Sequence, residues 1–187
     1  AAGVGTIRIM LPWAGVEPQD DTFDWSALDR MVNSANAQGI KVLATINSTP
    51  DWAAVPGQPA YAGEPADIAA FGDFVSAVAT AYKGRIADYE IWNEPNYNGF
   101  WAPTPDAARY TALLKAAYTA IKAVDGDATI IGGSVAAVAE GPGGPGINPV
   151  TYLAQMYAAG AADYFDALAF HPYLYSVPFA VQQGHAG

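Results

Sequence analysis

Cysteine is absent from the 187 residues, so neither disulfides nor thiolate chemistry is available. Cationic residues are scarce: eight Lys and Arg stand against eighteen Asp and Glu, for a net charge of −10. That balance argues against nucleic acid and anionic membranes as partners. Histidine occurs twice, and with no cysteine beside it no cluster has metal-ligand spacing, so no metal or other cofactor is expected. Gly, Pro or a charge interrupts every apolar run before it reaches membrane-spanning length. No glycine-rich turn follows the first apolar run in the pattern a dinucleotide requires.

Apolar residues are plentiful, at 52%, and the length suits one domain with a substantial core. Eleven Tyr, seven Phe and five Trp form a generous aromatic supply. Several of them fall in turn-rich segments, where a ring either fills space or offers a face to a sugar.

Five β-branched, apolar runs read as buried parallel strands: Thr6 to Leu11, Lys41 to Asn47, Ala87 to Glu94, Ala128 to Gly133 and Phe165 to His171. Helices are expected between them. One is capped by Asp24, with Leu28, Met31, Val32 and Ala35 on its core face. A second carries Phe71, Phe74, Val75, Val78 and Tyr82. A third opens at Thr104-Pro105, and a fourth runs from Pro149 to Ala159. Strand and helix alternate about every forty residues, which implies an α/β fold. Loops after strands are long and aromatic, whereas those after helices are short. That asymmetry places function at the strand carboxyl ends and favours a (β/α)8 TIM barrel over a doubly wound sheet. Five of eight βα units are countable. Both ends, Ala1-Ala2-Gly3 and the Gln182 to Gly187 tail, read as cut from something longer.

The most informative stretch is Tyr89-Glu90-Ile91-Trp92-Asn93-Glu94-Pro95-Asn96. Pro95 cannot give an N–H to a sheet ladder, so the strand ends there, and the residue before it is expected to be extended. A carboxyl held at a strand end beside an amide suits general acid/base work on a glycoside. Arg8, Asn47, Asn93, Glu94 and His171 all fall at or near the carboxyl ends of four different predicted strands and would converge on one mouth. Alternation puts Glu90, Trp92 and Glu94 on one side, so Glu90 lies deeper. Arg8 either neutralises it or serves the site. His171 either joins the site or satisfies a backbone carbonyl. Trp13, Trp52, Tyr97, Trp101, Tyr173 and Tyr175 are sugar platforms or plugs of the barrel top. Asp51 reads as a turn or cap residue and Glu17 and Glu64 as loop residues with local roles, while Glu140 sits in a glycine-rich segment that could approach the mouth.

These residues resemble a known group. The stretch from Tyr89 to Asn96 is similar to the acid/base strand of the clan A retaining glycoside hydrolases. Trp13-Ala14-Gly15-Val16-Glu17-Pro18, with Phe23-Asp24-Trp25 and Leu28-Asp29, resembles their second βα unit. Thr49-Pro50-Asp51-Trp52-Ala53 is similar to the loop after the third strand in glycoside hydrolase family 39. His171-Pro172-Tyr173 resembles the sixth-strand motif of family 5. The resemblance implies that residues 1–187 are part of one catalytic domain, holding strands two to six of the barrel. It implies that Glu94 is the general acid/base and that Asn93 contacts the 2-hydroxyl. Arg8, His171 and Tyr173 would line the site near a nucleophilic glutamate, expected at a seventh strand outside these residues. The substrate implied is a β-linked glycoside or polysaccharide. The 187 residues alone are then expected to show little turnover, unless the remaining barrel or a second copy completes them. Secretion fits polysaccharide work.

Overall fold

The computed structural model describes residues 3–59, 61–138 and 144–173. Glu140 and Tyr175 lie outside the described residues. Each run expected to be a strand is one: β1 (Thr6–Pro12), β2 (Lys41–Asn47), β3 (Asp88–Asn93), β4 (Thr129–Ala136) and β5 (Ala167–His171). They pair in parallel, in chain order, to form a five-stranded sheet. Between them lie α1 (Trp13–Val16), α2 (Ser26–Asn36), α3 (Ile68–Tyr82), α4 (Ala107–Val124) and α5 (Pro149–Ala158).

The helices start where side chains can accept orphan N–H groups. Asp67 accepts from Ala69, and Asn148 from Val150 just before Pro149. α4 is capped by Asp106, which accepts from Ala108 and Arg109, so it begins after the Thr104-Pro105 pair expected to open it. A carboxylate that bonds two N–H groups outcompetes a threonine followed by proline. Asp24 accepts from Ser26 at the entry to α2, as a turn one residue before the helix boundary. Met31 is exposed rather than part of the α2 core face. The α1 turn lies in a segment expected to be loop, and it buries Trp13 and Val16.

Phe71, Phe74, Val75, Val78 and Tyr82 of α3 are buried as expected. With Leu113, Leu114 and Ala117 of α4 they form the layer outside the sheet. Strands β2, β3 and β4 are largely enclosed, as expected for parallel strands covered on both faces. β1 and β5 are not: most of their residues are exposed or half-buried, because each has a strand neighbour on one side only.

Candidate active site

The carboxyl end of β3 is where the backbone departs from regular geometry. Trp92 has φ of 70° and Glu94 has φ of 48°, left-handed values that a non-glycine residue adopts only at a cost of about 1–3 kcal/mol each. The extended conformation expected for Glu94 is therefore not adopted. Two contacts hold it in place: its N–H donates to the Ser134 carbonyl at 2.9 Å, and its side chain meets His171. The left-handed turn at Trp92 also overturns the expected alternation. Trp92 does not share a side with Glu90. Its indole packs outside the sheet against Phe71 and Trp101 and donates to the Phe100 carbonyl. Asn93 takes the inward position instead, beside Ser134 of β4. β4 approaches closely here because Gly133 has no side chain. A Cβ there would lie 2.6 Å from the Ile91 carbonyl oxygen and 3.1 Å from that of Trp92.

The inward side chains form one polar network. Glu90 is 2% exposed, and its Oε2 accepts from Arg8 Nε at 2.7 Å and from the Thr45 hydroxyl at 2.5 Å. Arg8 thus neutralises Glu90, and it also reaches the site: its Nη2 donates to Asn93 Oδ1 at 2.9 Å. Above this, His171 Nδ1 stands 2.7 Å from Glu94 Oε1, with both side chains mostly buried. This contact serves both protonation states, since the imidazole can donate to a carboxylate and accept from the acid. Tyr173, 53% exposed, lays its ring against His171 at 5.2 Å between centroids.

The structure thus gathers Arg8, Asn93, Glu94, His171 and Tyr173. Thr45 and Ser134 belong to the same set and were missed, because short hydroxyl residues inside apolar runs resemble ordinary strand positions. Asn47 ends β2 as expected, but its carboxamide oxygen is sealed from solvent and has no donor among the described residues, so that atom does not face an open mouth.

The tryptophans are elsewhere. Trp13, 0% exposed, is clamped between Phe74, Phe71 and Trp52, and Trp101, 1% exposed, packs on Trp92 and Tyr110. Neither has a free face for a sugar, because the apolar layer between strands and helices claims both rings. Trp52, 37% exposed, lines a groove of about 500 Å³ against α3 with Glu17, Phe23 and Asp73, and its indole is pinned to the Glu17 carbonyl. Half-buried Tyr97 folds back over Gly99 and sets its ring edge-on to Phe100.

Glu17 and Glu64 have the local roles expected, and Asp51 lies in a turn. Glu64 pairs with Arg109. Glu17 accepts from the Trp13 indole and the Asp21 N–H. Glu17, Asp20 and Asp21 bring oxygens within 4.8 Å of one another, but the Glu17 oxygens are already engaged in shaping the loop.

Parallel βα units in chain order, with an acid-bearing mouth at the strand carboxyl ends, form the architecture of the TIM-barrel glycoside hydrolases. The chain belongs to glycosyl hydrolase family 5: the family description "Cellulase (glycosyl hydrolase family 5)" matches residues 1–177. Among solved structures it is similar to a family 39 glycoside hydrolase from Bacteroides cellulosilyticus WH2. The two share 27% identity at a TM-score of 0.72, over 94% of this chain and 34% of that one. It is also similar to a monomeric β-xylosidase from Caulobacter crescentus CB15, with 26% identity, a TM-score of 0.61, and coverage of 81% and 31%. The catalytic domain of the family 30 xylanase C from Talaromyces cellulolyticus shares the fold at 19% identity and a TM-score of 0.64, covering 89% of this chain and 43% of that one. The chain thus spans about a third of the length of the first two. No curated protein matches it in sequence.

Proposed function

We propose that Glu94 is the general acid/base of a retaining hydrolase of β-linked glycosides, and that Asn93, His171 and Tyr173 surround the scissile bond. The observation that carries this reading is the Glu94–His171 contact at the strand-end mouth, next to an Asn93 already oriented by Arg8. In the first step the Glu94 proton passes to the glycosidic oxygen as the C1–O bond breaks and a carboxylate attacks C1. In the second, ionised Glu94 takes a proton from water, which attacks C1 and releases that carboxylate. Glu90 is unsuited to be the nucleophile, since its side chain is 2% exposed and its Oε2 is held by Arg8 and Thr45. The attacking carboxylate belongs to the parent protein outside these residues, and residues 1–187 alone turn over little substrate. The kinship with β-xylosidases favours a xyloside-like sugar.

The test is Glu94→Gln in the full-length parent protein, assayed on β-glycosides with poor and good leaving groups. The variant should lose about 10²–10⁴-fold in kcat/KM on a poor leaving group, the usual worth of a positioned acid. It should lose far less on a dinitrophenyl glycoside, which needs no protonation. Equal activity of variant and wild type on both would remove Glu94 from the chemistry. Binding of oligosaccharide without hydrolysis by the wild type would favour a non-catalytic carbohydrate-binding protein.

A further inference from the structure

We propose that Glu90 is a positioning residue that sets the direction of the Asn93 amide through Arg8, so that the mouth meets the substrate with an N–H donor. The proposal rests on the glycosidase reading of the site. A carboxyl that is 2% exposed and lies deep in the strand layer is costly unless paired, and Glu90 is paired twice over. Its Oε2 takes Arg8 Nε at 2.7 Å and lies 2.6 Å from Nη2, and the same oxygen accepts from the Thr45 hydroxyl. This fixes the plane of the guanidinium. Nη2 is thereby left pointing at β3, where it meets Asn93 Oδ1 at 2.9 Å and stands 3.5 Å from the Ser134 hydroxyl.

A guanidinium has donors only, so the Asn93 atom facing it must be the oxygen. The two ends of a carboxamide are nearly the same size, and nothing in its shape decides which way it lies. The Glu90–Arg8 pair decides it. Nδ2 is turned away from the pair and must find an acceptor, such as the lone pair of the hydroxyl beside the reacting carbon. Glu90 also cancels the Arg8 charge, so the amide is oriented without leaving a net cation beneath the acid.

The experiment compares wild type, Glu90→Gln, Arg8→Lys and Asn93→Ala in the full-length protein. Each is assayed on an aryl β-glycoside and its 2-deoxy counterpart, with melting temperature measured alongside. Glu90→Gln should lower kcat/KM for the parent glycoside by about 10–100-fold, in keeping with a 2-hydroxyl contact that strengthens in the transition state. Activity on the 2-deoxy substrate should stay within about threefold, so that discrimination between the two collapses toward the Asn93→Ala value. Arg8→Lys keeps the charge but cannot fork between Glu90 and Asn93, and should collapse the ratio too. It also keeps the test open if Glu90→Gln fails to fold. Equal losses on both substrates, or an unchanged ratio, would make Glu90 a stability residue and overturn the proposal. If the wild type hydrolyses no glycoside, the functional reading fails by itself. The positioning claim is then read from the Asn93 side-chain amide in NMR spectra: signals that move in Glu90→Gln support it, and unmoved signals refute it.

Discussion

At the scale of single residues, the mouth depends on two left-handed turns at bulky residues and on one glycine that admits them. Gly133 lets β4 approach the carbonyls of Ile91 and Trp92, and the Tyr110 hydroxyl lies 2.9 Å from where a Cβ would stand. Two of those three neighbours are backbone atoms, which cannot rotate away. Gly133→Ala should therefore cost about 1–3 kcal/mol, and the melting temperature should fall by several degrees. A calorimetric scan checks this, and an unchanged melting temperature would show that the β3–β4 seam yields easily. Much at this scale was legible beforehand. Asn93-Glu94-Pro95 and His171 lie at strand ends, where strand reading puts them, whereas Arg8, expected near the carboxyl end of its strand, is the third residue of β1 and reaches Asn93 only through the length of its side chain. The side taken by Trp92 was not legible, because strict alternation assumes an even strand and no glycine marks the turn at 92. Nor was the burial of Trp13 and Trp101: a tryptophan in a turn-rich segment reads the same whether its ring faces solvent or the helices.

At the scale of elements, the junction between α4, β4 and β5 turns on Asp166. Its backbone N–H donates to the Ile130 carbonyl while its carboxylate accepts the Ile130 N–H, so one residue supplies both halves of a strand contact just before β5 begins. Lys122 of α4 lies 2.9 Å from the same carboxylate. Burial alone would raise its pKa, but the Ile130 N–H and the Lys122 ammonium outweigh that and hold the carboxyl below the usual carboxylate range. A depressed folded-state pKa contributes stability above the unfolded value near 3.8, and that contribution is lost as pH falls through the folded value. Asp166→Asn should therefore melt about 1–3 °C lower than wild type at neutral pH, and the gap should close below about pH 3.8. A gap that persists in strong acid would mean that the charge is irrelevant. Element positions were the most legible part of the fold, since each parallel strand announces itself as a dense apolar run. Boundaries were less so: the start of α4 depended on Asp106 winning over Thr104, a competition between caps two residues apart.

At the scale of the molecule, β1 and β5 are the outer strands of the sheet, and β1 flanks a concavity of about 570 Å³ lined by Ile7, Ile9, Ala35 and Ile40. Strand edges and apolar walls of this kind invite pairing. A polypeptide of these 187 residues, made by itself, should show a weight-average mass that climbs with concentration in sedimentation equilibrium. A constant monomer mass would show that the edges protect themselves.

Chain-order pairing has a further consequence. Each βα unit rests on the units before and after it, so a graft cut through the short turns at the sheet's amino end disturbs a single seam. The bonds that leap over a strand, from Arg8 to Glu90 and Asn93 and from Glu94 to His171, gather at the mouth. Shuffling pieces between related barrels would thus preserve the scaffold more readily than the chemistry. Parts exchanged without their distant partners would yield well-formed hybrids with a mute cleft.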